Sequence, residues 1–135
     1  MEKTNNLRIK KITAVDPPEQ IFEEYPVSDK ATTTTTSTRQ NIHNILQGKD
    51  DRLIAVVGPC SIDDPKAALE YAQKLKILKT ELDDTLLVVM RVYFEKPRTR
   101  LGWKGLINDP NLDGSYEINK GLRIARKLVL DSNTM

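Results

Sequence analysis

The sequence predicts an α/β fold that opens with a parallel β-sheet. Two short apolar runs, Leu53–Val57 and Leu86–Met90, are rich in β-branched residues and have the length of buried strands. A segment with apolar residues at helical spacing follows each run, so the predicted order is strand, helix, strand, helix. Two strands alone leave open edges and an exposed apolar face, and we therefore expect the beginning of a larger α/β fold.

Composition and charge restrict the class of protein. The chain has 135 residues, with 21 Lys and Arg against 19 Asp and Glu, and a net charge of +2 argues against a nucleic-acid-binding protein. The single cysteine, Cys60, excludes an internal disulfide, and the single histidine, His43, excludes a site with several histidine ligands. The sequence has no apolar run of about 18 residues and no apolar signal segment, so we expect a cytoplasmic protein without a membrane partner.

Residues 1–50 are expected to form an N-terminal extension made of an arm, a Thr-rich linker and a helix. Alternating apolar and charged residues at 7–12 indicate a short strand or an extended arm. A helix of one or two turns is predicted at 19–25, after two prolines. The Thr-rich run at 31–38 predicts a mobile linker or a helix start, because Thr and Ser are poor helix-interior residues, and a helix is predicted at 38–47.

Residues 51–135 are expected to hold two βα units. Asp63 or Asp64 is predicted to cap the first helix, at 65–82. A long polar loop follows the second strand, and Ser115 is predicted to cap the last helix. The buried face of that last helix is predicted to consist of Ile118, Leu122, Ala125, Leu128 and Val129.

Candidate functional residues follow both predicted strands. Cys60 lies in the turn after the first strand, and Arg91, Lys96 and Arg98 follow the second. Because the carboxyl ends of parallel strands meet at one edge of a sheet, we expect these side chains to lie close together. Arg binds phosphate or carboxylate bidentately and Lys adds a compact charge, so the cluster predicts a site for a phosphorylated substrate. Taken singly, each signal also fits a solvated surface or a small buried cysteine.

Five segments carry longer motifs. They are Gly58-Pro59-Cys60-Ser61-Ile62, Asp64-Pro65, Met90-Arg91-Val92-Tyr93-Phe94-Glu95-Lys96-Pro97-Arg98-Thr99, Gly102-Trp103-Lys104-Gly105-Leu106-Ile107-Asn108-Asp109-Pro110 and Gly121-Leu122-Arg123-Ile124-Ala125-Arg126-Lys127-Leu128. Together they resemble the opening third of the type I DAHP synthases, the phospho-2-dehydro-3-deoxyheptonate aldolases of the shikimate pathway. The resemblance implies the N-terminal portion of a (β/α)8 TIM barrel preceded by an N-terminal extension, which is an incomplete barrel in this chain.

The resemblance also implies a reaction and a site. Phosphoenolpyruvate, D-erythrose 4-phosphate and water would give DAHP and phosphate, the first step toward the aromatic amino acids. A divalent metal of the Mn, Fe, Co or Zn class would polarise the aldehyde, with Cys60 as its cysteine ligand. Arg91 and Lys96 would face phosphoenolpyruvate as catalytic residues. The erythrose 4-phosphate site would be lined by Lys96, Pro97, Arg98 and Thr99.

The resemblance further implies partners. These are a homo-oligomer of the full-length enzyme and an aromatic amino acid effector. Residues 6–10 look most like the phenylalanine-sensitive branch of the family, so phenylalanine is the expected effector.

The sequence departs from the family pattern near the site. Asp63 stands where the family has histidine, and Arg100-Leu101 stands where the family usually has Thr-Val. The family's other metal ligands come from later barrel strands, and His43 lies in the extension. One thiolate does not hold a catalytic divalent ion, so we expect this truncated chain to be inactive and not to hold the metal alone. The alternatives are a non-catalytic regulatory or interaction fragment that retains the effector-binding and oligomerisation arm, and a product that does not fold.

Overall fold

The computed structural model describes residues 5, 7–9, 11–96 and 101–135, and these residues form four helices and two strands. In chain order the elements are α1 (Pro18–Glu24), α2 (Asp29–Leu46), β1 (Leu53–Val57), α3 (Pro65–Glu81), β2 (Leu86–Met90) and α4 (Ile118–Thr134). Within the described ranges, none of these helices combines the length and the apolar character needed to cross a membrane.

β1 and β2 form a parallel two-stranded sheet, with α3 as the connection between them. The register pairs Leu53 with Leu86 and continues to the pair Val57 and Met90, which confirms the predicted strand–helix–strand unit. The prediction of a buried strand is wrong for β1, where Leu53 is 70% exposed and Val56 is 61% exposed. Side chains alternate along a strand, so these two residues face opposite sides of the sheet and the described residues leave each side of β1 partly uncovered.

Arg52 holds the starts of the two strands together. Its guanidinium donates to the carboxylate of Asp50 at 2.7 Å and to that of Asp83, just before β2, at 3.0 Å. Hydrogen bonds from Arg52 lower the pKa of Asp50, and the same contact raises the pKa of Arg52. The turn before β1 is therefore tied to the turn before β2.

The Thr-rich run lies inside α2, so the linker prediction is wrong and the helix begins at Asp29 instead of at residue 38. The Ser28 hydroxyl oxygen caps the helix by accepting a hydrogen bond from the Ala31 amide at 3.2 Å. The Thr35 hydroxyl donates to the Ala31 carbonyl at 2.9 Å, so it is satisfied within the helix. α2 packs along α4, and this tertiary contact outweighs the low helix propensity of threonine.

Polar contacts join α1 and the segment before it to α4. Arg123 donates to Asp16 and to Glu24, each at 2.6 Å. Arg126 donates to the Tyr25 carbonyl oxygen, with N–O distances of 3.1 and 3.2 Å. α4 therefore carries the contacts that hold α1 and the segment before it.

The described part of the N-terminal arm contains no strand. Residues 7–9 and 11–17 have irregular backbone, and Leu7, Ile9 and Ile12 are all more than half exposed. The strand alternative for 7–12 is therefore wrong in the described residues, and an irregular arm precedes α1.

The hydrophobic core lies between α3, α4 and the segments that follow the two strands. Its most buried members are Ile62, Ala68, Leu106 and Leu128. On the predicted buried face of α4, Ala125 and Leu128 are buried, whereas the other members are half-buried: Ile118, Leu122 and Val129. Leu106 lies in the loop after β2, so this core anchors the loop.

The two predicted helix caps have different outcomes. The Asp64 carboxylate accepts a hydrogen bond from the Lys66 amide at 2.8 Å, so Asp64 is the cap of α3. The Ser115 prediction is wrong, because Glu117 directly precedes α4 and makes no side-chain cap. Tyr116 has a φ of 54°, and this left-handed residue turns the chain between Ser115 and the helix.

Candidate active site

The carboxyl ends of β1 and β2 lie close together. The Arg91 amide donates to the Val57 carbonyl at 2.7 Å, and the Ile62 amide donates to the Tyr93 carbonyl at 2.8 Å. A Cβ at Gly58 would overlap the Arg91 carbonyl oxygen and would lie 3.0 Å from the Arg91 Cβ. Glycine at this position therefore lets the turn after β1 pack directly against the segment after β2.

Arg91 binds the turn after β1. Its Nη1 donates to the carbonyl oxygens of Pro59 at 2.6 Å and Cys60 at 2.7 Å. Its Cζ lies 4.5 Å from the centroid of the Tyr93 ring, a cation–π contact. In the described part of the chain no residue accepts a hydrogen bond from Nε or Nη2, so these groups are the donors available to an anionic ligand.

Cys60 and Lys96 are in contact. The Lys96 Nζ lies 3.6 Å from the Cys60 Sγ, and the cysteine is exposed. The hydroxyl of neighbouring Ser61 is buried and makes no hydrogen bond to the described residues. The structure thus brings Cys60, Arg91 and Lys96 to one edge of the sheet, while their roles as metal ligand and substrate-binding residues stay predictions. Three further predicted site residues lie outside the described residues: Pro97, Arg98 and Thr99.

The described residues do not supply a complete donor set for the implied divalent metal. Residues 5, 7–9, 11–96 and 101–135 contain no cluster of three or more His, Cys, Asp or Glu side chains. The Cys60 thiol contacts the ammonium of Lys96, a cation, and His43 is exposed on α2. One thiolate supplies too few ligands for a zinc-type or other catalytic divalent site. The chemistry of the described site is therefore that of its cations and its thiol.

Two residues of this site were not predicted from the sequence. Tyr93 lies under the Arg91 guanidinium, and their spacing of two residues on an extended segment is a local signal for side chains on one face. Asn108 donates to the Glu95 carboxylate at 2.9 Å, and Glu95 forms an antiparallel bridge with Gly105. The contact between Asn108 and Glu95 depends on how the loop folds back, so no local sequence pattern predicts it.

Known proteins of one family are similar to almost the whole chain. The profile of the DAHP synthetase I family matches residues 24–134. The Phe-sensitive phospho-2-dehydro-3-deoxyheptonate aldolase of Escherichia coli (strain K12) is 57% identical over 131 residues, which are 97% of this chain and 37% of that protein. The Trp-sensitive aldolase of Enterobacter agglomerans is 51% identical over 135 residues, which are 100% of this chain and 39% of that protein.

A solved structure has the same fold over the same segment. The phospho-2-dehydro-3-deoxyheptonate aldolase from Francisella tularensis SCHU S4 matches with a TM-score of 0.89 and 52% identity, over 94% of this chain and 37% of that one. The chain thus spans little more than a third of the length of these relatives. Because the family profile covers most of its residues, the chain belongs to the DAHP synthetase I family.

Proposed function

We propose that this chain supplies the first part of a DAHP synthase active site. The reaction joins phosphoenolpyruvate to D-erythrose 4-phosphate, consumes water and releases phosphate. The observation that carries the proposal is the convergence of Arg91, Lys96 and Cys60 at adjoining strand ends, with Lys96 Nζ 3.6 Å from Cys60 Sγ. In parallel α/β folds, ligands bind beyond this edge of the sheet.

Arg91 and Lys96 supply positive charge for the phosphate and carboxylate of phosphoenolpyruvate. Arg91 is held by two backbone carbonyls at 2.6 and 2.7 Å, so its orientation is set before a ligand arrives. Lys96 adds a compact ammonium that can reach a phosphate oxygen. The proposal assigns the erythrose 4-phosphate site, on the family resemblance, to Lys96 with Pro97, Arg98 and Thr99. Holding both phosphates in place orients the two carbons that form the new bond.

The proposal includes a fold. Residues 51–135 form the first two βα units of a (β/α)8 barrel, and residues 1–50 form its N-terminal extension. A cleft of about 740 Å³ supports this assignment, because it runs along consecutive β2 residues, Val88, Val89 and Met90, between α2, α3 and α4. Side chains alternate between the two faces of a strand, so a cleft lined by consecutive residues lies along the lateral, hydrogen-bonding edge of β2. This is the position in which a further strand would pair with β2.

A metal and an effector belong to the same proposal. Cys60 is one metal donor, and the remaining ligands of a Mn, Fe, Co or Zn class ion come from outside the described residues. Two of the relatives named above are Phe-sensitive and Trp-sensitive, and this chain is 57% identical to the first and 51% identical to the second. Phenylalanine is therefore the effector that we propose, together with a homo-oligomer and a cytoplasmic location.

A second candidate function is a regulatory or interaction fragment without catalysis. The observation in its favour is the arm before α1, where Leu7, Ile9 and Ile12 are 72%, 52% and 78% exposed. Apolar side chains that cluster on a surface can pack on a partner, and this candidate assigns that role to the arm. Calorimetry with phenylalanine and pull-down with a full-length DAHP synthase test this second candidate. If the chain binds neither phenylalanine nor the synthase, the candidate is excluded.

A chimera tests the catalytic proposal. The 131 matching residues of the E. coli Phe-sensitive aldolase are replaced by this chain, and DAHP formation is measured with both substrates and Mn2+. We expect activity in the chimera, a loss of about a hundredfold or more with Arg91→Ala or Lys96→Ala, and no turnover from this chain alone. The matched control is Lys127→Ala, an α4 lysine that is 61% exposed and should leave activity unchanged.

Two outcomes would contradict the proposal. One is a folded chimera without activity, and the other is a Lys96→Ala chimera as active as its parent. Metal-dependent turnover by the purified chain would instead overturn the expectation that the chain is inactive alone.

A further inference from the structure

The loop after β2 folds back on the residues that carry Lys96. The Leu106 amide donates to the Phe94 carbonyl at 2.8 Å, and the Lys96 amide donates to the Lys104 carbonyl at 3.1 Å. These two bonds flank the antiparallel bridge between Glu95 and Gly105. The backbone on both sides of Glu95 is therefore fixed by the loop.

Gly105 makes this close approach possible. A Cβ at this position would overlap the Phe94 carbonyl oxygen and would lie 2.8 Å from the Glu95 Cα. These are backbone atoms, so they cannot rotate away as a flexible side chain would. The contact between the loop and the Glu95–Lys96 backbone is consequently tight.

A side-chain bond adds to the backbone contacts. The Asn108 Nδ2 donates to the Glu95 Oε2 at 2.9 Å and, less closely, to the Lys104 carbonyl at 3.4 Å. We call the bond from Asn108 to Glu95 the Asn108 tether. An amide that donates to an ionised carboxylate makes a stronger hydrogen bond than a neutral pair does. The tether holds the residue directly before Lys96 from its side chain as well as from its backbone.

The loop that supplies the tether is itself anchored in the core. Leu106 is 1% exposed and belongs to the core cluster. Asp109 is 5% exposed, and its carboxylate accepts hydrogen bonds from the Gly114 amide at 3.1 and 3.2 Å. The Trp103 indole donates to the Asp109 carbonyl at 2.8 Å. Asn108 therefore acts from a well-supported position, between two buried residues of the loop.

We propose that Asn108 is a positioning residue that, through Glu95, holds the Lys96 ammonium beside Cys60. Fixing a lysine ammonium costs side-chain rotamer freedom, and a backbone that the loop already holds rigid avoids the further cost of ordering the main chain beneath it. The purpose of the fixed ammonium, which is to receive a phosphorylated substrate, rests on the proposed function. The geometric claim does not depend on that function.

Proximity of an amine and a thiol can be measured directly on this chain. o-Phthalaldehyde joins one amine and one thiol in close contact into a fluorescent isoindole and releases two molecules of water. We expect fluorescence from the parent chain, and only background from Cys60→Ala and from Lys96→Met. Asn108→Ala should lower the isoindole yield about fivefold, the population change expected when one ordinary hydrogen bond is lost.

Matched variants separate positioning from a general loss of structure. Asn111→Ala removes an asparagine of the same loop that donates to Ser115 and Glu117 instead, so the yield should not change. Glu95→Gln keeps an acceptor for Asn108 and should keep most of the yield, whereas Glu95→Ala should lower it as Asn108→Ala does. Circular dichroism at the labelling temperature identifies a variant that has unfolded.

The outcomes are distinguishable. An unchanged yield in folded Asn108→Ala overturns the proposal, and if that variant unfolds, an unchanged yield in Glu95→Ala overturns it in the same way. Phosphoenolpyruvate binding is measured separately by calorimetry on the E. coli chimera described above, in which the rest of the site is present. If the chimera folds without binding phosphoenolpyruvate while the isoindole pattern holds in this chain, the proposed function fails and the positioning role stands.

Discussion

Helix α4 passes so close to the loop after β2 that residue 121 has to be glycine. A Cβ at Gly121 would overlap the Ile107 carbonyl oxygen and would lie 2.7 Å from both the carbonyl carbon and the Cα of Ile107. Gly121 is a buried residue in the first turn of α4, where helix propensity alone favours alanine. The substitution Gly121→Ala therefore sets helix propensity against packing.

The sizes of the propensity gain and the packing cost decide whether Gly121→Ala stabilises or destabilises the fold. Replacing glycine by alanine inside a helix gains about 1 kcal/mol of stability from propensity. Forcing a methyl group into a filled space costs about 3 kcal/mol, the upper part of the usual range, because the atoms in the way belong to the backbone. The net expectation is a loss of about 2 kcal/mol, or a fall in Tm of about 8 °C for a chain of this size.

Thermal unfolding followed by circular dichroism measures the loss, and Trp103 reports where it arises. Trp103 is the single tryptophan, and its indole donates to the Asp109 carbonyl in the loop that Gly121 contacts, so a displaced loop should shift its emission to longer wavelength. Thr36→Ala, on an exposed position of α2, gains propensity without a clash and should raise Tm slightly. A Gly121→Ala chain with raised Tm and unchanged emission would refute the packing argument.

Of two more predictions, one concerns the pH dependence of the contact between α1 and α4, and the other concerns the hydrophobic core. Hydrogen bonds from Arg123 lower the pKa of Glu24, so this contact stabilises the fold above the ordinary carboxylate pKa of about 4.3 and its contribution is lost as pH falls through the lowered value. Tm measured from pH 7 to pH 3 should therefore be higher for the parent than for Glu24→Gln at pH 7 and should converge with it in acid; a constant difference would contradict the assignment. Leu128→Ala, at a side chain only 2% exposed, should cost about 2–5 kcal/mol in urea unfolding. The control Leu78→Ala, at a position 49% exposed, should cost far less, and equal losses would contradict the core assignment.

Local sequence signals were sufficient for the strands and for most helices. Leu53–Val57 and Leu86–Met90 are strands as predicted, because their short length and β-branched residues favour a strand over a helix. The capping role of Asp64 before a proline is equally local. The linker prediction fails for α2 because threonine is a poor helix former in isolation, whereas the Ser28 cap and packing against α4 favour the helix here.

The site was predictable in its composition but not in its contacts. Cys60, Arg91 and Lys96 follow strand ends, and parallel topology alone places them at one edge. That Arg91 turns to the carbonyls of the Cys60 turn, and that Asn108 holds Glu95, depends on residues far apart in the chain. Such contacts follow from the folded loop, which no periodicity of the sequence encodes.

Arg52 and Arg91, at opposite ends of the sheet, affect the register of the two strands. Arg52 ties the strand starts together, and Arg91 ties the segment after β2 to the turn after β1. A slip of one strand by one residue would move it by about 3.3 Å and turn its side chains to the opposite face. That displacement is comparable to the whole 3.6 Å separation of Lys96 Nζ and Cys60 Sγ. Arg52, at the opposite end of the sheet, therefore helps to determine which atoms meet beside Cys60 and Lys96.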